Sequence, residues 1–227
     1  MAVITIAREM GSEGDKLGHD LAKALGYEFI DKEIIRQVAG KTGSAPEEVE
    51  QYDEKTDSWL LRFLSQIFVA HPDMASYYST FAHVEPTYAY GVAEPYLFYE
   101  PPAGAAKPVD PNKIVKHFEE IIRDVAKKGN VVIIGRASQC VLKDMAGVIH
   151  LRTVAPLEWR LKNVQRDNPD LSSQDAEELM KRNDRWRERY LCVNYGAEWS
   201  DAMLYHMVIS MDRWDYGKLL KMLSMLV

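Results

Sequence analysis

Apolar side chains recur along this chain in two rhythms, one of strands and one of helices. Val3-Ile4-Thr5-Ile6 is a short β-branched run and predicts a buried strand. Asp15 to Leu25 sets Leu17, Leu21, Ala22, Ala24 and Leu25 at helical spacing, and Gly26 stops it. Tyr27-Glu28-Phe29-Ile30 alternates as a second strand. Asp31 then stands where a helix N-cap belongs, ahead of Ile34, Ile35 and Val38. Ala45-Pro46-Glu47-Glu48 opens another helix, and an apolar helical stretch runs from Trp59 to Ala70. Asp110-Pro111 begins a helix that ends at Lys128, before Gly129-Asn130. Val131 to Ile134 is wholly apolar, as in the centre of a parallel sheet. Val148 to Leu151 is the next strand, and Pro156 starts the helix after it. Ser172 to about Tyr195 is a long helix with a capping-box pair, Ser172 and Asp175. Leu204 to Ile209 and Asp215 to Leu226 close the chain as a strand and a helix. Trp59, Trp159 and Trp214 fall in helical apolar patterns and are expected in the core.

Strands alternating with helices predict an α/β fold around a parallel, doubly wound sheet. Ligands of such sheets gather at the C-terminal ends of the strands. Arg8, Asp31 and Arg136 each follow a predicted strand there. One stretch breaks the rhythm. His71 to Pro111 holds seven of the ten prolines, and eight aromatics lie between Tyr77 and Tyr99. It reads as an irregular insertion whose rings either glue it to the core or stack a base.

Composition narrows the classes of partner. The 227 residues suit one α/β domain with an inserted region. No apolar run approaches the roughly 20 residues that cross a bilayer, and no charged-then-apolar leader opens the chain. The expected location is cytoplasmic, with no membrane partner. Cys140 and Cys192 fit plain thiols in a reducing compartment. The net charge of −6 disfavours nucleic acid, so an anion site must come from locally gathered arginine. The six histidines lack ligand spacing, and no protein-held metal is assigned.

The chemistry concentrates in two places. Between the first strand and its helix runs Ala7-Arg8-Glu9-Met10-Gly11-Ser12-Glu13-Gly14-Asp15-Lys16. A strand, a glycine-bearing loop and a helix N-terminus cradle phosphate when backbone N–H groups face the anion. The standard loop, G-x-x-x-x-G-K-[ST], is absent. The second place is the long helix, where Arg182, Arg185 and Arg189 fall on one stripe beside Leu179, Trp186 and Tyr190. Like charges four apart destabilise a helix slightly. An external anion would relieve that, while a solvated face with Asp184 and Glu188 explains the stripe without one.

These pieces together resemble the cytidylate kinase-like proteins, relatives of bacterial cytidylate kinase among the P-loop nucleoside monophosphate kinases. The matching segments are Ile4 to Ser12, Phe29 to Lys32, Gly129 to Arg136, Leu151-Arg152 to Pro156-Leu157, and the arginine helix, in the family's order. The resemblance implies a single domain over 1–227, a three-layer P-loop NTPase-like fold in which a parallel sheet is flanked by helices. It would carry an insertion and acceptor-binding region at 40–110 and a lid helix at 170–197. It implies that Gly11, Ser12 and Gly14 surround the phosphates of ATP and that Asp31, Arg36 and Arg136 line an acceptor site. Arg182, Arg185 and Arg189 would close over the transferring group with Mg²⁺ as counter-charge. The implied activity is ATP-dependent phosphoryl transfer to a nucleoside monophosphate such as CMP. The alternatives are a kinase of the same fold with another small acceptor, and a nucleotide- or anion-binding protein without catalysis. Aligned to the cytidylate kinase loop, the lysine position falls on Gly14 and the metal-holding hydroxyl position on Lys16. Ala137 stands where that enzyme has a base-reading aspartate. Arg8 and Lys16 are therefore expected to supply the missing charge, while Glu13 and Asp15 are expected to oppose a polyanion.

Overall fold

The structure, a computed structural model, describes residues 2–31 and 111–227. The helices expected between Asp31 and Ala70, the insertion, Trp59 and Arg36 lie outside them. Five strands, β1 (Val3–Arg8), β2 (Glu28–Ile30), β3 (Val131–Ile134), β4 (Val148–Val154) and β5 (Met207–Ser210), form a sheet in the order β2-β3-β1-β4-β5. Every pairing is parallel, with Ile30 beside Ile133, Ile6 beside Ile134, and Arg8 beside Thr153. The C-terminal ends of β2, β3 and β1 therefore stand side by side. They carry Asp31, Gly135-Arg136 and Arg8.

The described helices are α1 (Gly14–Leu25), α2 (Pro111–Lys128), α3 (Ser138–Val141), α4 (Leu157–Asp167), α5 (Ser173–Tyr195) and α6 (Tyr216–Ser224). Alternate strand residues face opposite sides of a sheet. On one side Ile4, Ile6, Val132, Ile134 and Leu151 pack with Leu17, Leu21 and Ala22 of α1 and with Leu219 and Leu223 of α6. Elsewhere α3 lies against β1, and α2 against α3. The capping pair forms as its spacing predicts, with Ser172 Oγ accepting the Asp175 N–H at 3.1 Å. Asp215 caps α6 in the same way through the Lys218 N–H. Trp159 packs against the main core, but Trp214 is 46% exposed and corrects the expectation of burial. It lies between the last strand and α6, on no helix face. Cys140 is a buried free thiol and Cys192 an exposed one. No described helix is long and apolar enough to cross a membrane.

A second core matters more for the site. Met10, in the turn after β1, is buried with Val164 of α4 and with Ala176, Leu179 and Met180 of α5. Burying such a side chain contributes roughly 1.5–3 kcal/mol. The turn is thus part of the packing between α4 and α5.

Where β1 meets β4, Thr5 Oγ1 and His150 Nδ1 are 2.7 Å apart, and His150 is 5% exposed. Burial, then the neighbouring His206, pulls its pKa down to about 4. The folded chain therefore holds His150 neutral where the unfolded chain would already have taken a proton. This contribution to stability is complete above the ordinary pKa of 6.5 and is lost as pH falls toward 4. Between about pH 7 and about pH 4.5 the loss amounts to roughly 2.5 kcal/mol. Urea midpoints should fall over that range, and should fall less in His150→Gln; equal slopes in both proteins would refute the assignment.

Candidate functional site

The chain leaves β1 at Arg8, turns through Glu9 to Glu13, and enters α1 at Gly14. Ser12 fastens the turn from inside. Its hydroxyl donates to the Glu9 carbonyl at 2.8 Å and lies 2.8 Å from Thr153 Oγ1. Gly11 holds φ 78°, and a Cβ there would stand 2.6 Å from the Arg160 carbonyl oxygen, so glycine is required for both reasons. The first i→i−4 bond of α1 runs from the Leu17 N–H to the Glu13 carbonyl. The turn therefore ends on the helix's initial N–H groups, with the positive end of its dipole toward the strand ends.

Two helices grip the turn from outside. From α4, Asn163 donates to the Gly11 carbonyl at 3.0 Å and Arg160 to the Met10 carbonyl at 3.3 Å. From α5, Asp184 accepts the Met10 N–H at 2.9 Å and Arg187 donates to the Arg8 carbonyl at 2.9 Å. Asp184 also pairs with Arg160 at 2.5 Å and with Arg187 at 3.2 Å. Burial, then the neighbouring Arg8, pulls the Arg187 pKa down to about 10, so it stays charged at neutral pH.

The loop's acids all meet arginines. Glu13 pairs with Arg166 of α4 at 3.0 Å. Glu9 lies 3.5 Å from Arg160 and 3.6 Å from Arg152, whose guanidinium sits 4.7 Å from the Trp199 ring centre. Asp15 meets Arg8 at 2.9 Å. The acids expected to oppose a polyanion are thus individually neutralised.

Gly11, Ser12 and Gly14 form the turn, and Arg8 crosses its mouth. A Cβ at Gly14 would stand 2.5 Å from Arg8 Cβ, and one at Gly135 would stand 2.5 Å from Arg8 Nη1. Asp31 and Arg136 follow the two neighbouring strands. Arg136 has φ 56°, between Gly135 at 70° and Ala137 at 52°. This left-handed backbone is strained at the two non-glycine positions. The Arg136 guanidinium lies 4.5 Å from the Phe118 ring centre. Lys16 is exposed, and its ammonium lies 4.4 Å from the Tyr216 ring centre. Arg182, Arg185 and Arg189 are exposed and line a groove with Trp186, Glu188 and Cys192. On the helical wheel they stand roughly 100–160° from Asp184, on the outer side of α5.

The arginine that α5 presents to the loop is Arg187, which the stripe pattern passed over. Its signal was Asp184 three residues earlier, an acid–base pair on one face. Arg160 and Asn163 were likewise missed, three apart on α4.

The residues do not fit a directly held Mg²⁺. The Ser12 hydroxyl is engaged, the loop acids are paired, and no group of three His, Cys, Asp or Glu among the described residues is arranged for a metal.

Removing Asp184 leaves the Met10 amide without its acceptor and takes from Arg160 and Arg187 the carboxylate they share. Asp184→Ala should lower stability by about 2–4 kcal/mol. Glu188→Ala, on an exposed position one turn on, should change it by less than about 0.5 kcal/mol. Urea unfolding measures both, and equal effects would show that Asp184 is not the tie.

No curated protein matches the chain. A crystal structure of an uncharacterized protein from Eubacterium ventriosum ATCC 27560 has a TM-score of 0.63 at 17% identity, covering 99% of this chain and 97% of that one. It shares the fold. A shikimate kinase from Acinetobacter baumannii in complex with shikimate gives 0.41 at 14% identity, covering 100% and 92%. One from Bacteroides thetaiotaomicron gives 0.45 at 12%, covering 99% and 97%. The fold is a parallel sheet flanked by helices. The model of the cytidylate kinase-like family matches residues 3–213, so the chain belongs to that family.

Proposed function

We propose that the protein transfers a phosphoryl group from ATP to a small acceptor, a nucleoside monophosphate such as CMP. Family membership supports phosphoryl transfer in general. The observation that carries the reading here is the turn from Arg8 to Gly14, which ends on a helix N-terminus and has Arg8 and Arg187 beside it. Phosphoryl transfer asks the protein mainly for positioning and for positive charge.

In this reading the donor phosphates lie along Gly11 to Gly14 against the start of α1. Arg8 supplies the charge that a loop lysine gives elsewhere, and Arg187 adds a second guanidinium from α5. The forked donors of arginine suit phosphate oxygens. Arg182, Arg185 and Arg189 reach the donor only if α5 rolls by more than a quarter turn, breaking the Asp184 and Arg187 bonds. We therefore give Arg187 the phosphate-side role and leave the stripe as the lid's outer face. Lys16 contributes only if its ammonium leaves Tyr216. Asp31 and Arg136, with Arg36 beyond the described residues, serve the acceptor. No residue of the turn is assigned to Mg²⁺, which would supply counter-charge to the donor phosphates.

The engaged Ser12 hydroxyl favours a second reading, a nucleotide- or anion-binding protein without turnover. ATP consumption with Mg²⁺ across a panel of nucleoside monophosphates separates the two. One acceptor should support turnover, and Arg187→Ala should lower kcat by about 100-fold or more. Nucleotide affinity without turnover for any acceptor moves the assignment to the second reading, and absence of both refutes the two together.

A further inference from the structure

We infer that Asp15 is an internal counter-anion, holding the place on Arg8 that the ligand's phosphate takes and leaving when it arrives. This rests on the reading that the β1–α1 turn receives phosphate.

The geometry is that of a ligand surrogate. Arg8 Nη2 lies 2.9 Å from Asp15 Oδ1, and Arg8 Nε lies 3.1 and 3.2 Å from the two carboxylate oxygens. That side of the guanidinium is the fork that grips two oxygens of a phosphate. Asp15 is the second residue of α1, so its charge also sits where the helix dipole favours an anion. One carboxylate thus makes the two interactions that a bound phosphate would make.

The two partners differ in freedom. The Arg8 side chain is 13% exposed, in a slot that only glycine at positions 14 and 135 leaves open. The Asp15 side chain is 59% exposed. The arginine is thus the enclosed partner and the acid the exposed one. The other loop acids are different. Glu13 and Glu9 are paired with arginines brought by α4 and β4, at contacts that hold the turn to its surroundings. Asp15 alone among the three takes its arginine from the mouth of the turn.

An incoming phosphate must displace this carboxylate before Arg8 can grip it. Removing the charge of Asp15 should then raise anion affinity, and only while Arg8 is present. The test is calorimetric titration of the full chain with tripolyphosphate in EDTA, which reads the site without catalysis. Asp15→Asn should bind about 5-fold tighter than wild type, with the gap shrinking as salt rises. Arg8→Gln should bind more weakly, and adding Asp15→Asn to it should restore nothing, because the two substitutions act on one contact.

Equal or weaker binding by Asp15→Asn, with wild-type binding intact, overturns the exchange and leaves the proposed function standing. A gain that persists in the Arg8→Gln background overturns it too, since the acid then acts by general repulsion. Binding by neither wild type nor Asp15→Asn removes both this inference and the phosphate site beneath it. Thermal unfolding checks that each variant is folded. Asp15→Ser, a residue suited to a helix start, takes the place of the asparagine should that variant fail to fold.

Discussion

The carboxylate of Asp184 ties the longest of the described helices to the turn after β1. It accepts the Met10 N–H, Arg160 and Arg187 together. α5 buries Ala176, Leu179 and Met180 against Met10 and Val164, and Leu191 against Ala137, Cys140 and Trp199. To these apolar contacts the backbone groups of the turn add polar ones. Packed beneath α4 and α5, they need partners, and an unmet buried N–H costs about 1–3 kcal/mol. One rotation of α5 satisfies them, and that rotation turns Arg187 inward and the three-arginine stripe outward.

The same ties set the local charge. Glu9, Glu13, Asp15 and Asp184 surround the turn, and Arg8, Arg152, Arg160, Arg166 and Arg187 answer them. The chain carries −6 overall, yet in this neighbourhood the acids are matched by arginines, with Arg166 also meeting Asp167, before the helix dipole is added. An acidic loop sequence therefore does not imply an acidic site. Arginines from β4, α4 and α5, distant in sequence, convert the loop's own acids into mounting points.

What the sequence revealed follows from how local each cause is. β3 is legible to the residue because four apolar β-branched side chains in a row suit little but a buried strand. The N-cap of α5 was legible because a cap involves residues within one turn. α3 was missed because four residues, following three in left-handed conformation, carry no period to detect. β5 begins at Met207 rather than Leu204, since Ala202 to Leu204 first turn as a short 3₁₀ segment capped by Asp201. In the site, the turn itself was legible from its glycines. The inward face of α5 was not, because the helical period offers several polar stripes and only the loop's backbone chooses among them. Lys16 illustrates the same limit, since its neighbour Tyr216 lies 200 residues away in the chain.

The loop departs from the standard pattern at two places. When the lysine position of G-x-x-x-x-G-K-[ST] falls on Gly14, the first glycine of the pattern falls on Arg8. At each end a residue has been exchanged, glycine for a cation and a cation for glycine. A Cβ at position 14 would stand 2.4 Å from Thr153 Oγ1 and 2.5 Å from Arg8 Cβ, so Thr153 and Arg8 together close that position to a lysine. Moving the charge from the helix start to the strand end also changes its surroundings. A lysine on the first turn would be mobile, and its ammonium opposes the helix dipole. Arg8 instead lies in a groove between two glycines, with its backbone carbonyl held by Arg187. The charge keeps its place near the turn, gains a planar fork, and sits on the rigid end of β1 rather than on the first turn of a helix.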